Sequence, residues 1–517
     1  MSLAAPLLRQ AQRTPSWLLI GTLVPSVLVA VPLFYVAVRS FEAGLTGIAS
    51  EIFRERTFDL LVNTLTLAAC VTTAAAAIGT AFAWCVERTD LPMRRAWRVL
   101  ASLPLAVPAF VASFAWSSFH AGFESMAGAI FILSLASYPL VYLPVAAALR
   151  SMEPAFEDVS RSLGKGRWET FFRVILPQAG PALGAGALLV LTHMFAEFGA
   201  LSLLRVQTFT TAIFASYELQ FDSATAALQA AVLVLLCLPA AYGEMRLRRK
   251  IGVARVGRGS ARRMAPVRLG RWRLPVFLCF CLSFALSLGV PLLILVYWLT
   301  VGFSAGRGHS DILPAIGGSL SLAVPGAFVV VLLALSPVLL SVRHEGPLSR
   351  AADRLPYIVH GLPGLVVALA LVFVSIHYLR AFYQTVGLLM AAYAILFLPQ
   401  AQSALRASIE LVPARLEEAA RSLGRRPLAA FMSVTVPNIL PGIGAALALI
   451  ALELMRELTS TLMLAPIGVA TLATEVWTHT NDGEYAAAAP FAALLVAVSA
   501  LPVYFFTRRS IGIEDIQ

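Results

Sequence analysis

The chain has 517 residues, of which 59% are hydrophobic and 13% charged, with a mean hydropathy of +0.81. No soluble protein of this size has an interior able to hold so much apolar side chain, so composition excludes a water-soluble enzyme and points to an integral membrane protein. The formal net charge of +11 would suit nucleic acid if the basic residues formed one face, but they fall between the apolar runs, where membrane topology accounts for them and nucleic acid is not an expected partner.

From the N-terminus, Arg9 and Arg13 precede an apolar run near 17–38. The run is too long for a secretion signal and lacks a small-residue cleavage site, so it reads as a retained first helix. A hydrocarbon core about 30 Å thick takes roughly 20 apolar helical residues. Runs of that length follow near 60–84, 98–119, 127–149, 181–203 and 224–244, then near 274–301, 319–341, 355–376, 384–405, 438–464 and 486–507. The expectation is an all-α protein with about twelve spans. Helices rather than a barrel follow because the runs are continuously apolar and every backbone polar group in lipid must pair within its own segment. Cys70, Cys85, Cys237, Cys279 and Cys281 lie in or beside these runs without metal-ligand spacing and read as small core residues.

Between the sixth and seventh runs, the segment from Arg246 to Arg273 is rich in arginine and has no acidic residue. Such a segment stays in the cytoplasm, and alternating from it places both termini there too. The predicted organisation is an N-terminal tail, first helix and outer loop (1–59), a first repeat (60–245), a basic linker (246–273), a seventh helix and outer loop (274–318), a second repeat (319–507) and a tail (508–517). The linker's arginines also allow contact with membrane lipid.

The two repeats are visible residue by residue. Glu157, Arg161, Ser162, Leu163, Gly164 and Pro177 recur 260 positions later as Glu417, Arg421, Ser422, Leu423, Gly424 and Pro437, and the gapless register extends to Glu197 with Glu457, Thr211 with Thr471 and Asp222 with Asp482. Upstream the offset is 255, pairing Pro108 with Pro363 and Pro144 with Pro399. Both polar motifs fall on the same side of the membrane, so the halves run parallel about an axis along the membrane normal.

Within the second motif, Pro413 precedes Leu416 to Leu423, a stretch of good helix formers with Glu417 and Glu418 early and Arg421 late, as the helix dipole prefers. Gly424 stops it, and a second short helix is expected from Pro427 to Val434 before Pro437 reopens the chain into the next span. The first half repeats this with Glu157 to Leu163, Gly164, Trp168 to Val174 and Pro177. An amphipathic surface hairpin that merely connects spans is the bland alternative.

Glu418, Ala419, Ala420, then Gly424, with Pro437 thirteen further on, resemble the EAA loop of binding-protein-dependent ABC import permeases. The resemblance covers nearly the whole chain as two fused permease units and implies the type I ABC importer permease fold. In that family the loop is a coupling helix seated on a nucleotide-binding subunit. It implies that Glu417, Glu418, Ala419, Ala420 and Gly424 engage one ATPase subunit and Glu157, Asp158, Val159, Ser160 and Gly164 the other. Asp158, Val159 and Ser160 depart from the Glu, Ala, Ala pattern. ATP and magnesium then belong to the partner ATPase, no cofactor to this chain, and an extracytoplasmic substrate-binding protein is the further partner. Arg456, Glu457 and Leu458, with Leu462 to Ala465 and Ala470 to Ala473, and Thr208 to Ile213 in the first half, are similar to fused permeases for ferric iron; those for thiamine, aminoalkylphosphonates or polyamines are alternatives.

Ferric ion is hard and prefers oxygen donors. Intramembrane carboxylates are costly, which makes Glu197, Glu453 and Glu457 candidates for the translocation path. Equally, Glu457 could pair with Arg456 or with backbone at a helix irregularity. His193 reads as a packed histidine, no metal site is assigned, and Glu475, His479, Asp482 and Glu484 form an outer charged segment. No GxxxxGK[ST] loop, nucleophile elbow or zinc-ligand pair occurs, so the chain is not expected to be an enzyme. An ion-coupled secondary transporter is the alternative class.

Overall fold

The computed structural model describes residues 16–152, 155–253, 266–304, 311–344, 346–359 and 361–510. The expected N-terminal tail, the middle of the basic linker and the last residues of the C-terminal tail lie outside them. The chain runs α1 (Ser16–Ile52), α2 (Glu55–Arg88), α3 (Arg94–Leu100), α4 (Ala109–Phe119), α5 (Met126–Ser151), α6 (Ala155–Ser162), α7 (Arg167–Thr170), α8 (Leu176–Ala196), α9 (Gly199–Leu203), α10 (Phe209–Phe214) and α11 (Ser223–Val253). The second half runs α12 (Arg273–Phe284), α13 (Val290–Ser304), α14 (Ile312–Arg343), α15 (Pro347–Val359), α16 (Gly364–Tyr378), α17 (Val386–Ile409), α18 (Ala414–Ser422), α19 (Pro427–Ala430), α20 (Val436–Arg456), α21 (Thr459–Leu464), α22 (Leu472–Asn481) and α23 (Tyr485–Ser510). Among the described residues no strand forms; the one β-bridge joins Thr89 to Val267.

All twelve predicted runs fall on helix, but four are broken. The run near 98–119 divides into α3 with a 3-10 turn and α4, bent by 81°. The run near 355–376 divides between α15 and α16, and those near 181–203 and 438–464 end at Glu197 and Glu457 before α9 and α21. Pro108 and Pro363 stand immediately before α4 and α16, where a ring lacking N–H starts a helix instead of continuing one. Non-helical backbone at membrane depth is tolerated where protein surrounds it, and Val107, Leu362, Phe198 and Leu458 are all buried.

Each half is a bundle built on the same contacts: α2, α5 and α8 in the first, α14, α17 and α20 in the second. Close approach depends on small residues. A Cβ added to Gly79 of α2 would lie 2.7 Å from the carbonyl oxygen of Tyr138 on α5, a clash with backbone that cannot move aside. The outermost helices are exchanged in part: α1 packs on α11 of its own half and along α14, α15 and α16 of the second, while α13 packs on α23 of its own half and on α4 of the first, and the turn before it touches α5. Phe280 of α12 stacks on Phe82 with ring centroids 3.9 Å apart, and Trp97 meets Phe277, Phe280 and Phe284 edge-on. Leu23, Val27, Leu278 and Leu293 stay exposed, as residues facing acyl chains should.

Two sequence expectations need correction. The second arm of each motif hairpin is not a separate helix ended by Pro177 or Pro437. It enters the next span directly through a π turn, Phe171–Ile175 and Phe431–Thr435, in which Leu176 and Val436 donate to the carbonyls of Phe171 and Phe431, five residues back. The prolines sit in the first turn of α8 and α20, where the wider turn spares the clash their rings would make with the carbonyl four residues earlier. The gapless 260 register also fails beyond Glu457. Thr208 and Thr471, not Thr211 and Thr471, are the equivalent caps: each closes a capping box, with Thr211 and Thr474, at the start of α10 and α22. The extra residues lie between Leu464 and Thr471, and the helix-capping role of Asp222 at α11 has no counterpart at Asp482, which ends α22.

Candidate coupling and translocation sites

The two motif hairpins share one construction. α6 and α18 end in a residue with positive φ, Gly164 at +76° and Gly424 at +86°, a left-handed conformation that glycine adopts without a Cβ penalty. The next amide closes each turn, Lys165 N donating to Ser160 O and Arg425 N to Ala420 O, both at 3.2 Å. α7 and α19 then return the chain to the membrane.

What fixes each hairpin to the bundle is an arginine at the end of the preceding long helix. Arg88 of α2 lies 3.3 Å from the Glu157 carboxylate and donates to the carbonyl of Leu149 at 2.8 Å. Arg343 of α14 lies 3.6 Å from Glu417 and donates to the carbonyl of Val412 at 2.9 Å. Arg88 and Arg343 are 255 residues apart, the upstream offset of the repeat, so the signal for this anchor is present in the sequence, where a positive charge at the end of a span also suits topology. The copies differ in burial: the first pair is 8% and 4% exposed, the second 15% and 14%. Glu417 has further partners in the Thr435 hydroxyl and Arg421, 3.7 Å away.

The departure of the first copy from the Glu, Ala, Ala pattern is matched inside it. Ser160 stands where the second copy has Ala420, and its hydroxyl meets that of Thr170 at 2.9 Å in a buried pair; the positions matching these two are the buried alanines Ala420 and Ala430. One hairpin is tied by a hydrogen bond and the other by apolar contact. Outward, Val159 and Leu163 are exposed on the first, and Leu416, Glu418, Ala419 and Leu423 on the second. Leu163 is 71% and Leu423 85% exposed, each beside its bare glycine turn. Asp158 lies in α6, and its side chain is outside the described ones.

His344, one residue past Arg343, has its imidazole held below the ordinary histidine range, first by burial and then by Arg421 and Arg343 nearby. The shift favours the neutral ring beside the anchoring arginine.

The candidate path residues occupy the breaks in the spans. Glu197 ends α8 and accepts from the Ala200 amide at 2.9 Å, while His193 is 3.6 Å away and half-exposed. Glu457 ends α20 and accepts from the amides of Ser460 and Thr461 at 2.9 Å and from the Thr461 hydroxyl at 2.8 Å. Both carboxylates thus cap the short helices α9 and α21, compensating their positive ends. Glu453 pairs with Arg456 at 3.0 Å, and Arg456 reaches across to the carbonyl of Leu105 in the first half at 3.1 Å. The halves meet here. A Cβ on Gly199 would lie 2.8 Å from Leu458 and 3.1 Å from Phe110, and Trp477 packs against Phe198 and Phe214. At the end of α22, His479 lies between Glu475 at 3.3 Å and Glu484 at 3.0 Å. Among the described residues no group of three or more His, Cys, Asp or Glu could hold a metal ion.

Comparison with known proteins agrees with this duplication. The family described as "Binding-protein-dependent transport system inner membrane component" matches twice, over residues 75–243 and 332–511. The chain belongs to this family. It is a multi-pass inner-membrane permease with two fused units. The permease is 42% identical over 501 residues to the Fe(3+)-transport system permease protein FbpB 2 of Haemophilus influenzae, covering 96% of this chain and 99% of that protein. It is also 30% identical over 199 residues to the sulfate permease CysT of Escherichia coli (35% of this chain, 72% of that protein) and 28% over 139 residues to the molybdenum permease ModB of the same organism (24% and 60%).

Proposed function

We propose that this permease is the membrane-spanning subunit of an ATP-driven importer of ferric iron. In this reading the hairpins of α6–α7 and α18–α19 lie in the cytoplasm with both chain termini. Each seats on one of two copies of an ATPase subunit that binds ATP and magnesium, and a substrate-binding protein docks on the opposite face. The observation that carries the reading is the twin hairpin: the same glycine turn, the same arginine anchor and the same π-turn entry into a span occur twice, with exposed Leu163 and Leu423 at the tips. A connector has no need of a rigid bolt to the bundle, whereas a lever does. The near full-length relative named for Fe(3+) transport supports iron as cargo, and the sulfate and molybdenum relatives match only about a third of the chain or less.

Mechanically, closure of the two ATPase subunits draws the hairpins together, and Arg88–Glu157 and Arg343–Glu417 pass the displacement to α2 and α14. The halves then rock about their contact at Gly199, Leu458 and Phe110. Cargo passes between the halves near Glu197, Glu453 and Glu457. The test is reconstitution with the ATPase and a candidate receptor, followed by labelled ferric uptake against thiamine, polyamine, sulfate and molybdate controls. Glu418→Arg and Gly424→Pro are expected to leave the protein inserted and to uncouple ATP turnover from uptake. Normal coupled transport in both, or uptake that collapses with an ionophore yet survives loss of the ATPase, would overturn the assignment.

A further inference from the structure

A groove of about 840 Å³ opens beside the first hairpin, between α2, the start of α8 and the segment leading into α12. Its walls are apolar along the span, with Ala77, Ala81, Leu183 and Val276, and its mouth carries Glu87, Arg88, Glu157 and Arg268. The acids at the mouth are matched by arginines: Glu87 lies 3.0 Å from Arg98 and 3.1 Å from Arg150, and Glu157 lies 3.3 Å from Arg88. Arg268, Arg271 and Arg273 beside it are exposed. One wall is the end of the basic linker, fixed to α2 where Val267 N donates to Arg88 O at 2.8 Å, Asp90 N to Val267 O at 3.2 Å, and Leu269 N to the Asp90 carboxylate at 2.8 Å.

The repeat supplies a second, independent observation. Trp272 at the rim is the counterpart, at offset 255, of Trp17, and Phe171 in the groove is the counterpart, at offset 260, of Phe431. In the second half Trp17 rests against Phe431 with centroids 6.1 Å apart. Trp272 is 59% exposed. An apolar slot along a span, the exposed arginines Arg268, Arg271 and Arg273 at the level of the hairpin and an indole at the rim fit one kind of occupant.

We infer that an anionic phospholipid of the leaflet on the hairpin side occupies this groove, its acyl chain along Ala77, Ala81, Leu183 and Val276 and its headgroup at Arg268. Because Thr170 and Phe171 line the same groove, the bound lipid buttresses the first hairpin. The inference uses the proposed cytoplasmic side only to name the leaflet; accessibility of Leu423→Cys to an impermeant thiol reagent tests that side separately.

The experiment places the full-length protein in nanodiscs of phosphatidylcholine with or without phosphatidylglycerol. Retained lipid is read by native mass spectrometry, and amide exchange is followed over residues 163–171. Wild type is expected to retain phosphatidylglycerol selectively and to exchange more slowly in its presence. A neighbouring basic side chain contributes about a fivefold factor to the affinity of an anionic headgroup, so Arg268→Glu is expected to weaken retention about thirtyfold. Ala81→Trp, on an exposed position of α2, is expected to abolish both effects, while Val62→Trp, exposed near the other end of the same helix, leaves them intact. Equal retention of the two lipids, or unchanged retention in Ala81→Trp, overturns the site. Selective retention with unchanged exchange overturns the buttress.

Discussion

Replacing Arg88 by alanine tests whether the hairpins are held as levers by their arginine anchors. Arg88 and Glu157 are almost wholly enclosed, at 8% and 4% exposure, and the same guanidinium serves the carbonyl of Leu149. Removing one partner of such a pair leaves a charge in a poorly solvated site and costs about 3–5 kcal/mol. At the lower figure, local opening of the first hairpin rises roughly 150-fold. Arg343→Ala should be milder, because its pair is 15% and 14% exposed and solvent reaches it. A loss of about 1–2 kcal/mol, or roughly 5–30-fold, is expected there because solvent compensates. Amide hydrogen exchange of 163–171 in the first variant and 423–431 in the second reads the two openings directly, and ATPase activity stimulated by receptor reads the consequence. Equal effects in the two halves, or less than a threefold change in the Arg88 variant, would refute the anchor as described.

Three further outcomes follow from the same geometry. Thr170→Ala alone should destabilise the first hairpin by about 1–3 kcal/mol, because it strands the buried Ser160 hydroxyl, whereas Ser160→Ala with Thr170→Ala should recover most of the loss by reproducing the alanine pair of the second copy; exchange rates over 155–171 distinguish the two. Glu457→Ala should lower thermal stability together with transport, since three donors lose their acceptor, while Glu457→Gln should keep most of the stability; a thermally normal Glu457→Ala would show that capping is not its role. His344 is held below its ordinary pKa of 6.5, so the unfolded chain binds its proton more readily than the folded one. Its stabilising contribution is then complete above 6.5 and falls as pH drops toward the folded value; protection of 423–431 should decline on acidification below 6.5, and His344→Asn should remove that decline.

The positions of the spans were legible because a continuous apolar run has few other meanings, and so were the hairpins, because Gly164 and Gly424 mark turns that a side chain resists. The breaks at Glu197 and Glu457 were not. A carboxylate that caps a buried helix and one that touches cargo are the same letter at the same depth, and only the three donors around Glu457 tell them apart. Arg88 and Arg343 illustrate a different limit: a positive charge at a helix end satisfies membrane topology whether or not it also binds a glutamate, so the residue type alone does not reveal the anchor. The π turns were hidden because Pro177 and Pro437 are equally compatible with a helix that stops and with one that widens before continuing.

The exchange of α1 and α13 between the halves carries a consequence for why one polypeptide holds both units. Were the halves separate chains, each would have to find a partner able to lend it an outer helix, and two copies of the same half could satisfy one another. Tethering raises the local concentration of the correct lender to the millimolar range, so the mixed pairing prevails over self-pairing without any added contact. Once the pairing is guaranteed, the two sides are free to diverge, as Glu87 with its two arginines and the Ser160–Thr170 pair, each lacking a copy opposite, already illustrate.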